Sequence, residues 1–444
     1  LLGAALSLKS LREPDLWWQL RTGEWIASQW SIPKTDVFSY THEGTAWLNV
    51  KWLFEWLLAL VAKVAGAEGV MFLQLGATFG MLFLLRAAFR LQIERLTGAE
   101  ITEKQSLIFA LWAMLGLLVV DFRLIGRPEM VSHLFAAAYL YIFSHWQTHR
   151  SAKILYSLPI LQALWANMHE GFGVGMVFLA TWAAGEWLQW LWKRKNTAEK
   201  APLLQSAVAA GAILAVCLHP WGWRMLFHPI NIFFQLRENQ FTTELLGFSH
   251  REYWQWEAYA NLLLIGLSAL SLVIWWRKGR SIMGAGQWLL GAAVAYLSLT
   301  AYRNIPFAVF WCLPVVASGA VALFEAKKLQ WAGEKLLAAK VIAVGVLLYA
   351  AVVSNMWYKW ARDGRDSYGL QVLNSHNPVG AAKFIRENGL QQQRAYADYL
   401  TSSYLLWHLQ PDFKTYIDLR DLDVFPDSFF QTFAATTIVP EAFE

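Results

Sequence analysis

Two carboxylates, Glu13 and Asp15, flank a proline near the start of this chain. Pro14 disfavours helical backbone at Glu13, so the spacing predicts an extended turn with both carboxylates toward one side. A pair placed this way can act as a general base, or hold a divalent cation together with phosphate. Asp15 also precedes Leu16-Trp17-Trp18 and suits a helix N-cap; the two roles are compatible. Further acidic candidates are Asp36, Asp121 and Glu129. Arg127, Arg224 and Arg303 are candidates for holding phosphate, because a guanidinium binds it through a planar fork of donors. His169 with Glu170, and His219, are candidates to line an acceptor site or cavity. Without a third ligand at metal spacing, His169 and Glu170 read as a local hydrogen-bonded pair. The metal requirement stays open. The plainer roles are structural: a snorkelling helix-end anchor for Arg303, and a link from Asp121 to Arg123 or Arg127.

The background to these residues is strongly apolar. Of 444 residues, 57% are hydrophobic and only 16% charged, with 26 Trp. An ordinary domain is roughly 45–50% apolar and about 25% charged. The displacement excludes a disordered chain, a nucleic-acid-coating protein and most soluble enzymes. Two cysteines, Cys217 and Cys312, exclude a disulfide-stapled module, and both lie in apolar stretches. The Trp excess suits the membrane–water interface, where a ring keeps its polar edge wet.

The elements that must position the candidates are transmembrane helices. Apolar stretches recur at Val70–Phe89, Ser106–Val120, Met130–Trp146, Ile154–Ala166, Gly171–Trp192, Leu203–Leu218, Tyr259–Trp276, Met283–Ala301, Ile305–Phe324 and Leu337–Val353. Leu1–Leu8 reads as the tail of a first helix, giving about eleven crossings. Alternate loops carry the basic residues: Arg86 to Lys104, Arg150 with Lys153, Lys193 to Lys195, Arg277 to Arg280, and Lys327 with Lys328. The positive-inside rule puts these in the cytoplasm, with the N-terminus inside and the C-terminus outside. The net charge of +5 is thus an orientation signal. Trp47–Val64 is apolar but carries Lys51, Glu55 and Lys63, and is predicted to be an interfacial helix.

All the candidate residues then fall at outer helix ends. Ionisable groups at membrane depth are costly unless paired or functional, so their gathering suggests an extracytoplasmic cavity. The predicted layout is a transmembrane domain over residues 1–354 and an extracytoplasmic domain over 355–444, read as part of a larger soluble domain. Residues 9–68 form the first outer loop and 218–257 a second large one. In the tail, Pro378–Leu390 reads as a helix with Gly389 as its C-cap, and Thr415–Leu419 alternates like a short strand.

The stretch EPDLWWQLRTGEWIASQWSIPKTDVFSY resembles the first outer loop of the GT-C superfamily of polytopic glycosyltransferases. It is most similar to an uncharacterised bacterial group with the pattern D-x-W-W-x-L…G-x-x-I…P-x-x-D-x-F-S. Here those positions are Asp15, Trp17, Trp18, Leu20, Gly23, Ile26, Pro33, Asp36, Phe38 and Ser39. GRPEM at Gly126–Met130, WANMHEG at Trp165–Gly171, HPWG at His219–Gly222, RNIP at Arg303–Pro306 and YIDLR at Tyr416–Arg420 look like the same group. The resemblance implies an acidic first-loop residue as catalytic base or metal ligand, a role it carries to Asp15. It also implies a sugar donor on a polyprenyl phosphate.

The expectation is an all-α polytopic membrane protein with a GT-C-like fold and a small C-terminal α/β domain. It would transfer a sugar from a polyprenyl-phosphate donor on the outer face of a bacterial cytoplasmic membrane. Its partners would be membrane lipids, the lipid-linked sugar and other membrane subunits, with no nucleic acid. A divalent cation is the cofactor left open. The competing expectation is a non-catalytic subunit using this fold as a scaffold. A transporter would predict inverted repeats, and the sequence displays no such symmetry.

Overall fold

The computed structural model describes residues 1–194, 200–238, 243–282, 284–326, 334–373, 377–420 and 423–438. Lys195, Met283, Lys327, Lys328 and Glu444, used in the sequence reading, lie outside the described residues. The chain is mostly helical and divides into two compact units. The first comprises Leu1–Leu8, Gln74–Ile125 and Glu129–Tyr368; the second comprises Lys9–Leu73, Gly126–Pro128 and Gly369–Glu444.

In the first unit each expected apolar stretch coincides with a helix. Ser106–Val120 extends back to Glu103, because Thr102 and Gln105 form a reciprocal capping box. Met130–Trp146 becomes Glu129–His149, and Gly171–Trp192 becomes Phe172–Lys193. Ile154–Ala166 is split into Ala152–Leu155 and Ser157–Met168. Among the described residues, five helices are long and apolar enough to cross a membrane: Gly69–Thr97, Glu103–Arg123, Trp256–Arg277, Tyr302–Phe324 and Lys335–Val353. Their length and composition suit a multi-pass membrane protein. Tyr302–Phe324 is the most deeply packed of the five.

Small residues let these helices approach closely, as is common where lipid offers no hydrophobic drive between helices. A Cβ on Gly185 would run into the backbone of Gly286, so Phe172–Lys193 and Ala285–Thr300 cross backbone to backbone.

The second unit gathers segments from both ends of the sequence. Its helices are Asp15–Gln29, Trp52–Ala65, Val379–Glu387, Tyr399–His408 and Asp427–Ile438. Trp18, Phe38, Trp47, Leu406, Ile417, Val424, Phe425 and Phe433 form its core. Trp47–Val64, expected as one helix, starts five residues later at Trp52. Pro378–Leu390 forms Val379–Glu387, with Gly389 at φ +65° just past its end. Among the described residues, Thr415–Leu419 makes one bridge, parallel, between Thr415 and Ser39. The reason is local: Asp418 accepts from the Thr415 hydroxyl at 2.8 Å and the Arg420 amide at 3.1 Å, which curls the chain out of strand geometry.

Candidate functional site

Pro14 caps the Asp15–Gln29 helix with φ −70° and ψ −24°. Asp15 was expected at the cap, yet it is the first helical residue. Proline suits a helix start because its missing N–H would be unsatisfied there anyway and its φ is preset. Asp15 therefore lies in the first turn, where the positive end of the helix dipole favours a carboxylate. Its Oδ1 accepts from Trp18 Nε1 at 3.1 Å. Arg127 spans the acidic pair: Nε and a terminal nitrogen reach Glu13 Oε2 at 2.8 and 2.6 Å, and the terminal nitrogen reaches Asp15 Oδ2 at 3.2 Å. The Asp15 side chain stays 23% exposed, so a reactant can approach it. Glu13, Asp15 and Arg127 are thus brought together. Arg127, predicted to hold phosphate, here neutralises two carboxylates.

Asp36 is enclosed in the same unit. Its Oδ1 accepts from the Phe38 amide at 2.9 Å and from Arg420 at 2.6 Å, and Oδ2 accepts from the Ser39 amide and hydroxyl. Asp418 clamps the other side of the Arg420 guanidinium at 2.7 and 2.8 Å. The rings of Trp47 and Phe38 cover it at 4.9 and 5.1 Å. Burial disfavours the Arg420 charge, but Asp418 and Asp36 outweigh burial and hold it above the ordinary guanidinium range. A carboxylate this enclosed holds the core together and is not presented to a substrate.

In the first unit, Asp121 is fully buried. It accepts from Trp357 Nε1 at 3.0 Å and faces Arg362 at 3.9 Å, while Arg362 bonds Glu257 at 2.5 Å. Arg123 pairs with Glu129 and Glu244. A cavity of about 460 Å³ opens beside Glu129. His169, Glu170, Arg303 and Asn304 also line it, and the rest of its wall is largely apolar, from Val174, Val177, Ile230, Leu297 and Phe307. Glu129, His169, Glu170 and Arg303 are therefore brought together. His219 and Arg224 are not among the lining residues. His219 is buried and accepts from the Trp221 amide at 3.3 Å, and Arg224 begins the Arg224–Glu238 helix with its side chain exposed.

Three elements fix His169. Trp165 Nε1 donates to Ser132 Oγ at 2.6 Å, Ser132 Oγ lies 2.6 Å from His169 Nδ1, and the Gly171 amide points at the same nitrogen at 3.1 Å. The sequence reading missed Ser132, although its place one turn after Glu129 was visible, and missed Trp165 as a donor. Arg362 and Glu257 left no such sign. Among the described residues, no three His, Cys, Asp or Glu side chains gather as a metal-binding set. Glu13 and Asp15, the pair considered for a cation, already share the Arg127 charge.

No protein-family description matches the chain, and no curated protein matches it in sequence. Solved structures do match in fold. One is an Archaeoglobus fulgidus oligosaccharyltransferase tethered to an acceptor peptide containing an NVT sequon, with TM-score 0.54 and 12% identity over 93% of this chain. Another is the same organism's oligosaccharyltransferase in complex with Zn and sulfate, with TM-score 0.53 and 12% identity over 95% of this chain. The chain spans 60% and 62% of those proteins' lengths. The likeness is one of fold.

Proposed function

We propose that the chain is a GT-C-like glycosyltransferase that moves a sugar from a polyprenyl-phosphate donor to an acceptor. It would work at the outer face of a bacterial cytoplasmic membrane, crossing about eleven times with its N-terminus inside. The observation that carries the reading is Asp15. It is a partly exposed carboxylate in the first turn of its helix, steadied by Trp18 and Arg127, in a chain with an oligosaccharyltransferase-like fold. Asp15 takes the acceptor's proton as the acceptor attacks the sugar carbon, and the lipid phosphate leaves with the bonding electrons. The attack inverts the sugar carbon.

The test is transfer of a radiolabelled sugar from a polyprenyl-phosphate donor by purified protein. Asp15→Asn lowers the rate by about 100-fold or more, the usual worth of a general base, with an unchanged melting temperature. Retained activity removes the assignment.

A second reading is favoured by one observation: Glu13 and Asp15 are both committed to Arg127. A non-catalytic GT-C-like subunit would hold its acidic pair in this way. It would show no transfer with the wild-type chain and would purify as a stoichiometric complex with other membrane subunits.

A further inference from the structure

Trp30 combines two features that are unfavourable in water. It ends the Asp15–Gln29 helix in left-handed backbone, at φ +49°, where a residue with a Cβ is strained and glycine is the usual occupant. Its side chain is 86% exposed, and among the described residues its indole makes no hydrogen bond or ring contact. Val64 closes the neighbouring helix, Trp52–Ala65, and is 89% exposed, with Leu60 one turn earlier on the same face at 39%. The two helices run in the same direction. Lys51, just before the second helix, sets its ammonium 5.1 Å from the ring of Trp18, near the start of the first. Farther along, a Cβ on Gly23 would meet the Glu55 carbonyl and Ala59. Both helices therefore end on the same side of their crossing, and Trp30 and Val64 emerge there.

That side is where the chain enters a membrane-crossing helix. Residues 66–68 alone separate Ala65 from Gly69–Thr97. A Cβ on Gly69 would lie 2.7 Å from Val61 Cγ1 and 3.2 Å from Ala65 Cβ, so the span begins against the last turn of the helix that carries Val64. Residues 69–85 carry no charge, which places the boundary between water and hydrocarbon beside that turn.

We infer that Trp30, Leu60 and Val64 form a lipid-contact surface by which the second unit dips into the bilayer interface. An indole suits this layer, where the ring meets acyl chains and the N–H stays wet. Lys63, exposed beside Val64, lays its stem along the same layer and lifts its ammonium toward the phosphates. The cost of a strained, exposed tryptophan is then offset by lipid and not by protein. Membrane spans are all that this requires; the transfer reading is not involved. In the folded chain, the helix that opens with Asp15 is held to the membrane at its far end.

Fluorine spectra of the full chain, labelled with fluorotryptophan and held in lipid nanodiscs, test it. Trp30→Phe identifies the Trp30 resonance by its absence. Two paramagnetic reagents then report the surroundings: a phospholipid with a nitroxide near its head group, and a gadolinium chelate confined to water. Trp276, 75% exposed within the Trp256–Arg277 span, is the lipid-facing reference and is identified by Trp276→Phe. The Trp30 resonance is expected to vanish with the lipid nitroxide and to persist with the chelate, as that of Trp276 does. Val64→Trp should add a resonance that behaves the same way. Loss of the Trp30 signal to the chelate overturns the inference. So does its survival with both reagents, which would mean that a protein surface covers the ring. A Val64→Trp signal that meets lipid while Trp30 does not overturns it as well. Survival of Trp276 with the lipid nitroxide overturns the membrane reading and this inference together.

Discussion

Arg127 grips Glu13 through two nitrogens at once, Nε at 2.8 Å and a terminal nitrogen at 2.6 Å. The same terminal nitrogen reaches Asp15 at 3.2 Å. One guanidinium therefore keeps two carboxylates, separated by a single proline, from repelling each other. All three side chains are partly exposed, so the arrangement orients Asp15 more than it stabilises the fold. Arg127→Gln is expected to cost at most about 1 kcal/mol of stability. It should slow the proposed sugar transfer about tenfold through lost orientation. Thermal melts and transfer rates on one preparation separate the two effects. A large stability loss with unchanged transfer per folded molecule would contradict the role.

Arg420 behaves oppositely, because it is fully buried between Asp36 and Asp418. Removing the cation leaves two enclosed carboxylates without their partner. Arg420→Met should destabilise the second unit by about 3–5 kcal/mol. Limited trypsin digestion should then cut within residues 369–444 under conditions where the wild type resists. Wild-type resistance in the variant would refute a holding role for this triad.

Glu55 supplies a pH dependence. Burial raises its carboxyl to about 8, against the opposing influence of the Asn49 hydrogen bond and Lys51. The folded protein thus keeps the carboxyl protonated at neutral pH, while the unfolded chain ionises near 4.5. A raised folded value gives stability that is fully present below the unfolded value and lost as pH rises through the folded one. Glu55→Gln removes that loss. The variant's melting temperature should gain on the wild type from about pH 4.5 to about pH 8, then run parallel. Parallel curves across the whole range would show that Glu55 is ionised in the folded chain.

Gly23 marks a helix crossing. A Cβ there would strike the Glu55 carbonyl oxygen and come within 2.8 Å of Ala59 Cβ, so Asp15–Gln29 and Trp52–Ala65 touch at this point. Gly23→Ala should cost about 1–3 kcal/mol by forcing the helices apart, despite alanine's better helix propensity. Chemical denaturation measures it, and a neutral result would mean the crossing is loose.

What the sequence made legible follows from how each feature is encoded. A transmembrane helix is written in contiguous apolar residues, so Tyr259–Trp276 was readable to within three residues of the observed Trp256–Arg277. Partnerships are not contiguous. Asp121 was read against its neighbours Arg123 and Arg127; it also faces Arg362, far along the chain. Asp36 and Arg420 were each singled out within separate motifs, and nothing in either motif says that they meet. The cavity shows the same limit. Glu129, His169 and Arg303 were visible as polar residues at helix ends, whereas Ser132 looked like one more small residue on an apolar helix. Only packing reveals that it stands between a tryptophan and a histidine.

The pairing of Asp36 with Arg420 joins residues 384 positions apart. At about 5–20 residues per second, a ribosome needs roughly 20 to 80 s to travel that distance. For nearly all of that interval Trp18, Phe38 and Trp47 have been synthesised and their core partners Ile417 and Phe425 have not. The first-loop segment is born early and finished late. Its aromatic residues must be sheltered in the meantime, which makes the nascent chain, more than the finished fold, the stage most exposed to chaperones and proteases.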